Sequence, residues 1–187
     1  LGIPPTYAVP NEVNNILATS VSGSLTHWFK DQFAKELNEE KAIEILAAEA
    51  KSSPIGAKGL LMLPYFSGER TPIHDANAKG VFFGLNLTHN RADMFRAMIE
   101  GIAYGTRHVT DTFSELGQPP STLFAVGGGT KNSLWTQATS DITGIGQMVR
   151  EKTIGASYGN AFIAALAIGQ VQKEDISIWN PVSKKII

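Results

Sequence analysis

The 187-residue sequence contains no cysteine. Disulfides and thiolate metal sites are therefore excluded, and the composition fits a reducing compartment such as the cytoplasm. Acidic and basic residues nearly cancel, 17 against 16, so the chain lacks the basic excess that nucleic acids and anionic membranes attract. It also lacks any apolar run near the length of about 18 residues that a membrane span needs. We expect a cytoplasmic protein that binds neither nucleic acid nor membrane.

The sequence also lacks an initiator methionine, because it begins at Leu1. This start suggests a chain that begins inside a longer protein, although processing of the N-terminus would explain it as well. Its 43% hydrophobic and 18% charged residues are typical of a globular protein, and its length suits one sizeable core. We expect one domain.

The most informative stretch covers residues 121–144. An apolar segment at 123–126 ends in Gly127-Gly128-Gly129, and apolar residues at helical spacing follow from Asn132. This pattern predicts a strand, a glycine turn and a helix. Because glycine has no Cβ and adopts positive φ freely, such a turn lets a flat or anionic ligand approach the backbone closely. We interpret the turn as a nucleotide site.

The turn matches neither of two common phosphate-binding patterns. A Walker loop ends in Gly-Lys-Ser/Thr, whereas Lys131 follows Thr130 here. The dinucleotide pattern requires a third glycine where Asn132 stands. What remains is a bend that supports a purine or ribose, with Asn132 either capping the helix or hydrogen-bonding a ligand edge. A tight turn with an ordinary Asn cap explains the residues equally well.

A second candidate site is the segment Ser22-Gly23-Ser24, which precedes an amphipathic helix that runs to Leu37. Free N–H groups at a helix N-terminus favour a phosphate, but a serine-capped surface helix is the commoner arrangement.

The polar loop at 65–79 contains Glu69, Arg70, His74 and Asp75. A loop-fixing ion pair with exposed turn residues is favoured there over an active-site cluster. No histidine pair has metal-ligand spacing, so we assign no metal site.

The remaining periodicity predicts further elements. Glu100 and Arg107, in the longest predicted helix, are expected to be structural. The helix at 154–169 is rich in alanine and glycine, which favours close packing on a neighbouring helix over a role as a pocket wall. The tail beyond Asn180 is expected to be weakly ordered. The predicted helices cover 39–51, 91–116 and 154–169, and the predicted strands cover 6–9, 59–64, 80–85 and 147–150.

Four stretches together resemble the C-terminal, nucleotide-binding half of the FGGY carbohydrate kinases, and especially the xylulokinase branch. The most specific is Gly-x-Phe-x-Gly-Leu at 80–85, followed after seven residues by Asp-Met at 93–94 and Ala-Met-Ile-Glu at 97–100. The others are the loop at 64–72, the glycine turn with its helix at 126–141 continuing to the Gly-Ala helix at 155–165, and the helix start at 22–29.

The resemblance implies an α/β fold of the actin-like ATPase (ribonuclease-H-like) type, with a mixed sheet flanked by helices. It implies transfer of the ATP γ-phosphoryl group, with Mg²⁺, to a sugar hydroxyl. Carried over to this sequence, Gly128 and Asn132 would line the adenine and ribose site, within the turn that also contains Gly127 and Gly129. Gly23 and His27 would lie near the ribose and phosphates. His27 stands where relatives often carry glutamine.

In this family the catalytic carboxylate, the first phosphate hairpin and most sugar contacts belong to the N-terminal half. We therefore interpret residues 1–187 as a C-terminal nucleotide-binding domain that is inactive alone, and we assign no catalytic residue. A xylulose-like ketose is the favoured acceptor, with gluconate, ribulose or another polyol as alternatives. A homodimer is compatible with the resemblance. A nucleotide-binding relative without catalysis, or an unrelated α/β module whose glycines are structural, stays open.

Overall fold

A computed structural model describes residues 22–38 and 40–187; the predicted strand at 6–9 lies outside them. The helices are α1 (Ser22–Phe33), α2 (Ala42–Ala50), α3 (Arg91–Glu115), α4 (Ser133–Thr143), α5 (Ala156–Ala167) and α6 (Ile176–Trp179). The strands are β1 (Leu61–Leu63), β2 (Val81–Phe83), β3 (Leu123–Ala125), β4 (Gln147–Arg150) and β5 (Val182–Ile186).

The strands form two small sheets. In the first, β1 pairs with β2 in antiparallel fashion, with Leu61 opposite Phe83. In the second, β3 is parallel to β4 and β5 is antiparallel to β4, so the order is β3-β4-β5. Between β3 and β4 the chain crosses over through α4, as parallel neighbours require. The predicted mixed α/β architecture is confirmed.

The longest helix, α3, organises the rest of the structure. Asn90 and Asp93 form a capping box at its start, and Gly117, at φ +74°, follows its end. Its apolar residues at helical spacing are buried from Phe95 to Val109, whereas Leu116 at its end is exposed. At Gly101 a Cβ would lie 2.3 Å from the carbonyl oxygen of Met62, so β1 crosses the helix where there is no side chain. These contacts place the first sheet directly on α3.

Two carboxylates of α3 hold the segment 53–58 against the helix. The buried Asp93 accepts hydrogen bonds from Ser53 Oγ at 2.7 Å and Lys58 Nζ at 2.9 Å. The buried Glu100 pairs with Arg96 at 2.7 Å and accepts the backbone N–H of Gly56. Glu100 is therefore structural, as expected.

Helices α1 and α4 belong to the same hydrophobic core as α3. Leu25 and Phe29 of α1 and Ala138 of α4 are buried in this cluster, and the Phe29 and Phe95 rings meet edge to face at 5.2 Å. Trp135 of α4 packs against its margin. The core thus connects the two helices whose starts were predicted to bind nucleotide.

Two sequence expectations are wrong. The tail beyond Asn180 is not weakly ordered, because its last residues form β5 and pair with β4. This pairing is non-local and leaves no trace in the short segment VSKKI. The close packing expected for α5 is also absent from the described part of the chain, where only Phe162 of this helix is buried.

Candidate functional site

The predicted strand, glycine turn and helix are all present. Strand β3 ends at Ala125, Gly127 takes φ +88°, and a 3₁₀ turn from Gly128 to Lys131 leads into α4. The Thr130 hydroxyl donates to the Gly127 carbonyl at 2.7 Å, which fixes the shape of the turn. The turn is therefore preorganised by its own hydrogen bonds.

A second turn joins the glycine turn at the same edge of the sheet. The backbone N–H of Gly127 donates to the carbonyl of Thr153 at 2.9 Å, and Thr153 lies between β4 and α5. Because β3 and β4 are parallel, both turns leave the carboxyl ends of their strands and both feed a helix N-terminus. Crevices at this edge of parallel strands are common ligand sites, and helix N-termini favour anions. Sequence reasoning missed this junction, since it depends on strand pairing.

The backbone of the glycine turn is accessible. Gly127 and Gly128 are exposed, and a Cβ built on either would meet no atom within 4 Å. At Gly129 a Cβ would lie 3.3 Å from the Trp135 ring, so the indole supports the turn from one side. Coverage of these glycines by other side chains would have contradicted the nucleotide hypothesis. The surface is open instead.

The two polar atoms of the Asn132 side chain differ in their hydrogen bonding. Its Oδ1 accepts the backbone N–H groups of Leu134 at 3.1 Å and Trp135 at 3.2 Å, so it caps α4. Its Nδ2 is buried and finds no hydrogen-bond partner among the described residues. A buried donor without a partner costs about 1–3 kcal/mol. The ordinary helix cap therefore explains only half of this side chain.

Helix α4 is anchored to β4 beneath the turn. The buried Gln147 side chain donates to the carbonyl oxygen of Thr136 and, at 3.0 Å, to the Ser140 hydroxyl. The N-terminus of α4 is thus fixed relative to the strand ends. This rigidity keeps the glycine turn in place.

The other two predicted site residues stand on α1. Gly23 and His27 are both exposed, and a Cβ on Gly23 would meet nothing within 4 Å. Helix α1 packs mainly on α2 and α3. The structure therefore brings Gly127, Gly128, Gly129 and Asn132 together in one turn and leaves Gly23 and His27 on a separate, accessible helix.

The loop at 65–79 is fixed by a buried carboxylate. Glu69 accepts the backbone N–H groups of Arg70 at 2.7 Å and Thr71 at 3.1 Å, and its backbone pairs with that of Asp75. Burial, together with the negative charge of Glu69, raises the pKa of Tyr65. Glu69 therefore fixes this loop by accepting backbone N–H groups. Its expected ion pair with Arg70 stays a prediction.

Two cavities lie away from the glycine turn. One, of about 340 Å³, is lined by residues of α2 and the start of α3, including Arg91; the other, of about 40 Å³, lies between α3 and α4. Within residues 22–38 and 40–187, no three His, Asp or Glu side chains form a group that could hold a metal ion. In the same ranges, no helix has both the length and the apolar character needed to cross a membrane.

Comparison with known proteins identifies a family. The model of the FGGY family of carbohydrate kinases, C-terminal domain, matches residues 2–168. The chain is 36% identical over 151 residues to the xylulose kinase of Bacillus subtilis (strain 168), covering 81% of this chain and 30% of that protein. It is 32% identical over 171 residues to the ribulokinase of Bacillus licheniformis, covering 87% of this chain and 31% of that protein.

The solved structures agree. The crystal structure of xylulose kinase from Rhodospirillum rubrum superposes with a TM-score of 0.78 at 32% identity, covering 90% of this chain and 34% of that one. The expected actin-like ATPase fold is thereby confirmed. The chain spans about a third of the length of these relatives. By its family-model match, this chain belongs to the FGGY family of carbohydrate kinases.

Proposed function

We propose that this chain supplies the nucleotide-binding half of a kinase that transfers the γ-phosphoryl group of ATP to a sugar hydroxyl. The observation that carries the proposal is the bare glycine turn, which lies between two helix N-termini at the carboxyl ends of β3 and β4 in a chain of a carbohydrate kinase family. Residues 1–187 then act as one C-terminal domain beside a catalytic half.

The geometry suits what phosphoryl transfer demands of this half. The reaction depends mainly on positioning and on stabilising phosphate charge, rather than on covalent chemistry by the protein. A backbone without side chains at Gly127 and Gly128 leaves room for a flat purine, with Asn132 beside it. Gly23 and His27 are proposed to approach the ribose and phosphates from α1.

We assign neither a metal site nor a general base to the described residues. ATP in such kinases is expected to carry Mg²⁺, but no cluster of three acidic or histidine side chains exists among the described residues to hold it. The donor set does not fit a metal site, so we derive no step through the ion. We likewise assign no general base. The chain alone is expected to bind nucleotide without catalysing transfer.

We propose a xylulose-like ketose as the acceptor, because matched relatives include xylulose kinases. Ribulose, gluconate and other polyols are the alternatives, and the ribulokinase match supports considering them. We also propose a cytoplasmic location and a homodimeric assembly, the latter to be checked by light scattering. No partner besides sugar and nucleotide is proposed.

The test is an ATP-dependent phosphorylation assay of the full gene product against D-xylulose, ribulose, gluconate and glycerol. We expect turnover with D-xylulose, with the highest kcat/KM of the four. Turnover with another of these substrates would correct the acceptor alone. ADP binding without turnover of any sugar would indicate a nucleotide-binding relative that lacks catalysis. Absence of both binding and turnover in a folded sample would contradict the proposal.

A further inference from the structure

One face of the first sheet is apolar although it is turned towards solvent. Leu61 and Leu63 of β1 are each 49% exposed, and their cross-strand partners, Phe83 and Val81 of β2, are 71% and 43% exposed. These four residues define the outer face. Because side chains alternate along a strand, Met62 lies on the opposite face, where it is buried against α3. Strand β1 is therefore apolar on both of its faces.

This pattern is unusual for a solvent-exposed sheet. An antiparallel sheet with one buried face normally carries polar side chains on the other, whereas all four residues of the outer face are apolar. Beyond the bend at Gly84 the chain continues with Leu85, which is 55% exposed, and Leu87, which is fully exposed. Contiguous apolar patches mark interaction surfaces. We infer that the outer face binds the outer face of a second copy of this chain, and so forms the proposed homodimer.

The lack of charge on the outer face suits a second copy. In a two-fold symmetric dimer the same patch lies on both sides of the interface, so a charged patch would face its own charge. The outer face contains no charged side chain, and depletion of charge is typical of the centre of an interface. It is therefore complementary to itself, with the Phe83 ring as its most exposed aromatic group.

The size of the patch suits a dimer as well. A standard interface buries about 800 Å² per partner. At the exposures given above, each of the six apolar residues brings on the order of 100 Å² of surface, so together they supply most of this area. Polar residues around the patch then need to supply only the rim. A single exposed leucine would not meet this requirement.

The outer face and the glycine turn are held on different sides of α3. Strand β1 crosses α3 at Gly101. Helix α4, which begins at the glycine turn, packs on a stripe of α3 about a quarter turn away, where Arg107 donates to the Ile142 carbonyl at 2.9 Å. Resting on the proposed function, we expect the catalytic half to approach the nucleotide at the glycine turn. A second copy on the outer face leaves that turn accessible.

Charged substitutions on the outer face test the inference. Phe83→Glu and Leu61→Glu are made in the full gene product, and their dimer dissociation constants are measured by sedimentation equilibrium. Leu116→Glu is the matched control, because Leu116 is 67% exposed and lies about 22 Å along the axis of α3 from Gly101. The melting temperature and the ADP affinity show whether each variant is folded.

A cross-linking experiment locates the interface independently. Residues 1–187 contain no cysteine, so a single introduced thiol reports on one position of this chain. Phe83→Cys and Leu116→Cys are treated with a short bis-maleimide, and the unsubstituted full gene product gives the background. Covalent dimers above this background are expected for Phe83→Cys and not for Leu116→Cys.

We expect wild type to be a dimer and Phe83→Glu to dimerise at least about 100-fold more weakly. The effect is large because a two-fold interface loses two aromatic side chains and would bury two carboxylates. Leu61→Glu should act in the same direction. Leu116→Glu should dimerise like wild type, and all variants should bind ADP with wild-type affinity.

Three results would overturn the inference. A monomeric wild type would show that no second copy covers the outer face; if Phe83→Glu then also lost stability, the face would be covered within the full gene product. Wild-type dimerisation of Phe83→Glu would place the interface elsewhere. Equal weakening by Leu116→Glu would show a non-specific effect of charge. The proposed function is tested separately, because it fails only if folded wild type neither binds ADP nor turns over a sugar.

Discussion

Two regions of the chain differ in how their buried polar groups are hydrogen-bonded. The first carries the most specific match to the family, and the second is proposed to bind nucleotide. In the first, residues 80–100, buried carboxylates are paired: Asp93 with Ser53 and Lys58, and Glu100 with Arg96. In the second, residues 127–132, Gly127 and Gly128 are exposed, and the buried amide nitrogen of Asn132 has no partner among the described residues. The carboxylates of the first region are paired within the protein, although the buried Nε2 of His89 in the same region has no partner among the described residues. The second region is proposed to leave its amide nitrogen for a ligand.

The glycines that identify the family and the glycines of the proposed nucleotide site have different surroundings. Gly80 admits the Phe66 ring, since a Cβ would lie 1.9 Å from a ring carbon, and Gly84 takes φ +90° beside the Gly59 carbonyl. These glycines are required by packing. Gly127 has no such neighbours, but its φ of +88° favours glycine. Gly128 has neither a close neighbour nor a positive φ, so neither packing nor backbone conformation explains its lack of a side chain. The same residue type thus serves the scaffold in one place and an open surface in the other.

The largest expected effect is on stability, at Asp93. Asp93→Ala leaves the Ser53 hydroxyl and the Asn90 N–H without their acceptor and should lower the free energy of unfolding by about 3 kcal/mol. Urea denaturation of wild type and Asp93→Ala measures this difference in the free energy of unfolding. ADP affinity of the folded fraction should not change, because this carboxylate belongs to the scaffold. A loss below about 1 kcal/mol would show that the capping box and its partners matter little.

The next effect is on binding, at Gly128. Gly128→Leu adds bulk where a Cβ meets nothing, so ADP affinity should fall by about tenfold or more while the melting temperature stays within a few degrees. Calorimetry and thermal denaturation measure the two quantities. Lys51→Leu adds a similar side chain at an exposed position after α2 and should bind ADP normally. Unchanged affinity in Gly128→Leu would break the comparison.

A smaller effect is expected in the pH dependence of stability. Burial raises the pKa of Asp93, but hydrogen bonds from the Asn90 N–H, Lys58 and Ser53 outweigh it, so the folded-state pKa is lowered. Its stabilising contribution is present above the unfolded pKa of about 3.9 and is lost as pH falls through the lower folded value. Denaturation of wild type and Asp93→Asn from pH 6 to pH 2 should show a gap of about 1–2 kcal/mol that closes in acid. A gap that is constant across this range would contradict the assignment.

The smallest effect concerns Arg91, which bridges α3 to α2 and to the end of α1. Its guanidinium pairs with Glu49 at 2.6 Å and with Glu36, all partly exposed. The hydrogen bonds to Glu49 and Glu36 raise the pKa of Arg91. The hydrogen bond from Arg91 in turn lowers the pKa of Glu36. Arg91→Gln should cost about 0.5–1 kcal/mol at low salt and less in 1 M NaCl. A cost independent of salt would point to packing instead.

Much of this structure follows from local sequence patterns. The spacing of apolar residues predicted α3 as 91–116, within one residue of Arg91–Glu115, because capping and termination are encoded beside the helix. The β3, turn and α4 sequence was predicted for the same reason. By contrast, strand β5 was missed because it forms only by pairing with β4. The exposure of α5 was missed because it depends on how the other elements pack around this helix in the folded chain.

The candidate site was only partly predictable. Three glycines before an amphipathic helix indicate a bare turn, and the structure has one. The contact of Gly127 with Thr153 follows from the parallel pairing of β3 and β4, which the sequence does not reveal. The unpaired Nδ2 of Asn132 requires knowledge of both ends of the amide. The placements of Gly23 and His27 against a nucleotide remain predictions.

The most direct test of the central claim is hydrogen–deuterium exchange of the full gene product with and without ADP. The account predicts that ADP slows exchange in peptides covering 126–135 and 151–157, the two turns that meet at Gly127 and Thr153. Exchange in 53–58 and 90–100 should be unaffected. Protection of the second set without the first, in a sample that binds ADP, would contradict the assignment of the glycine turn as the nucleotide site.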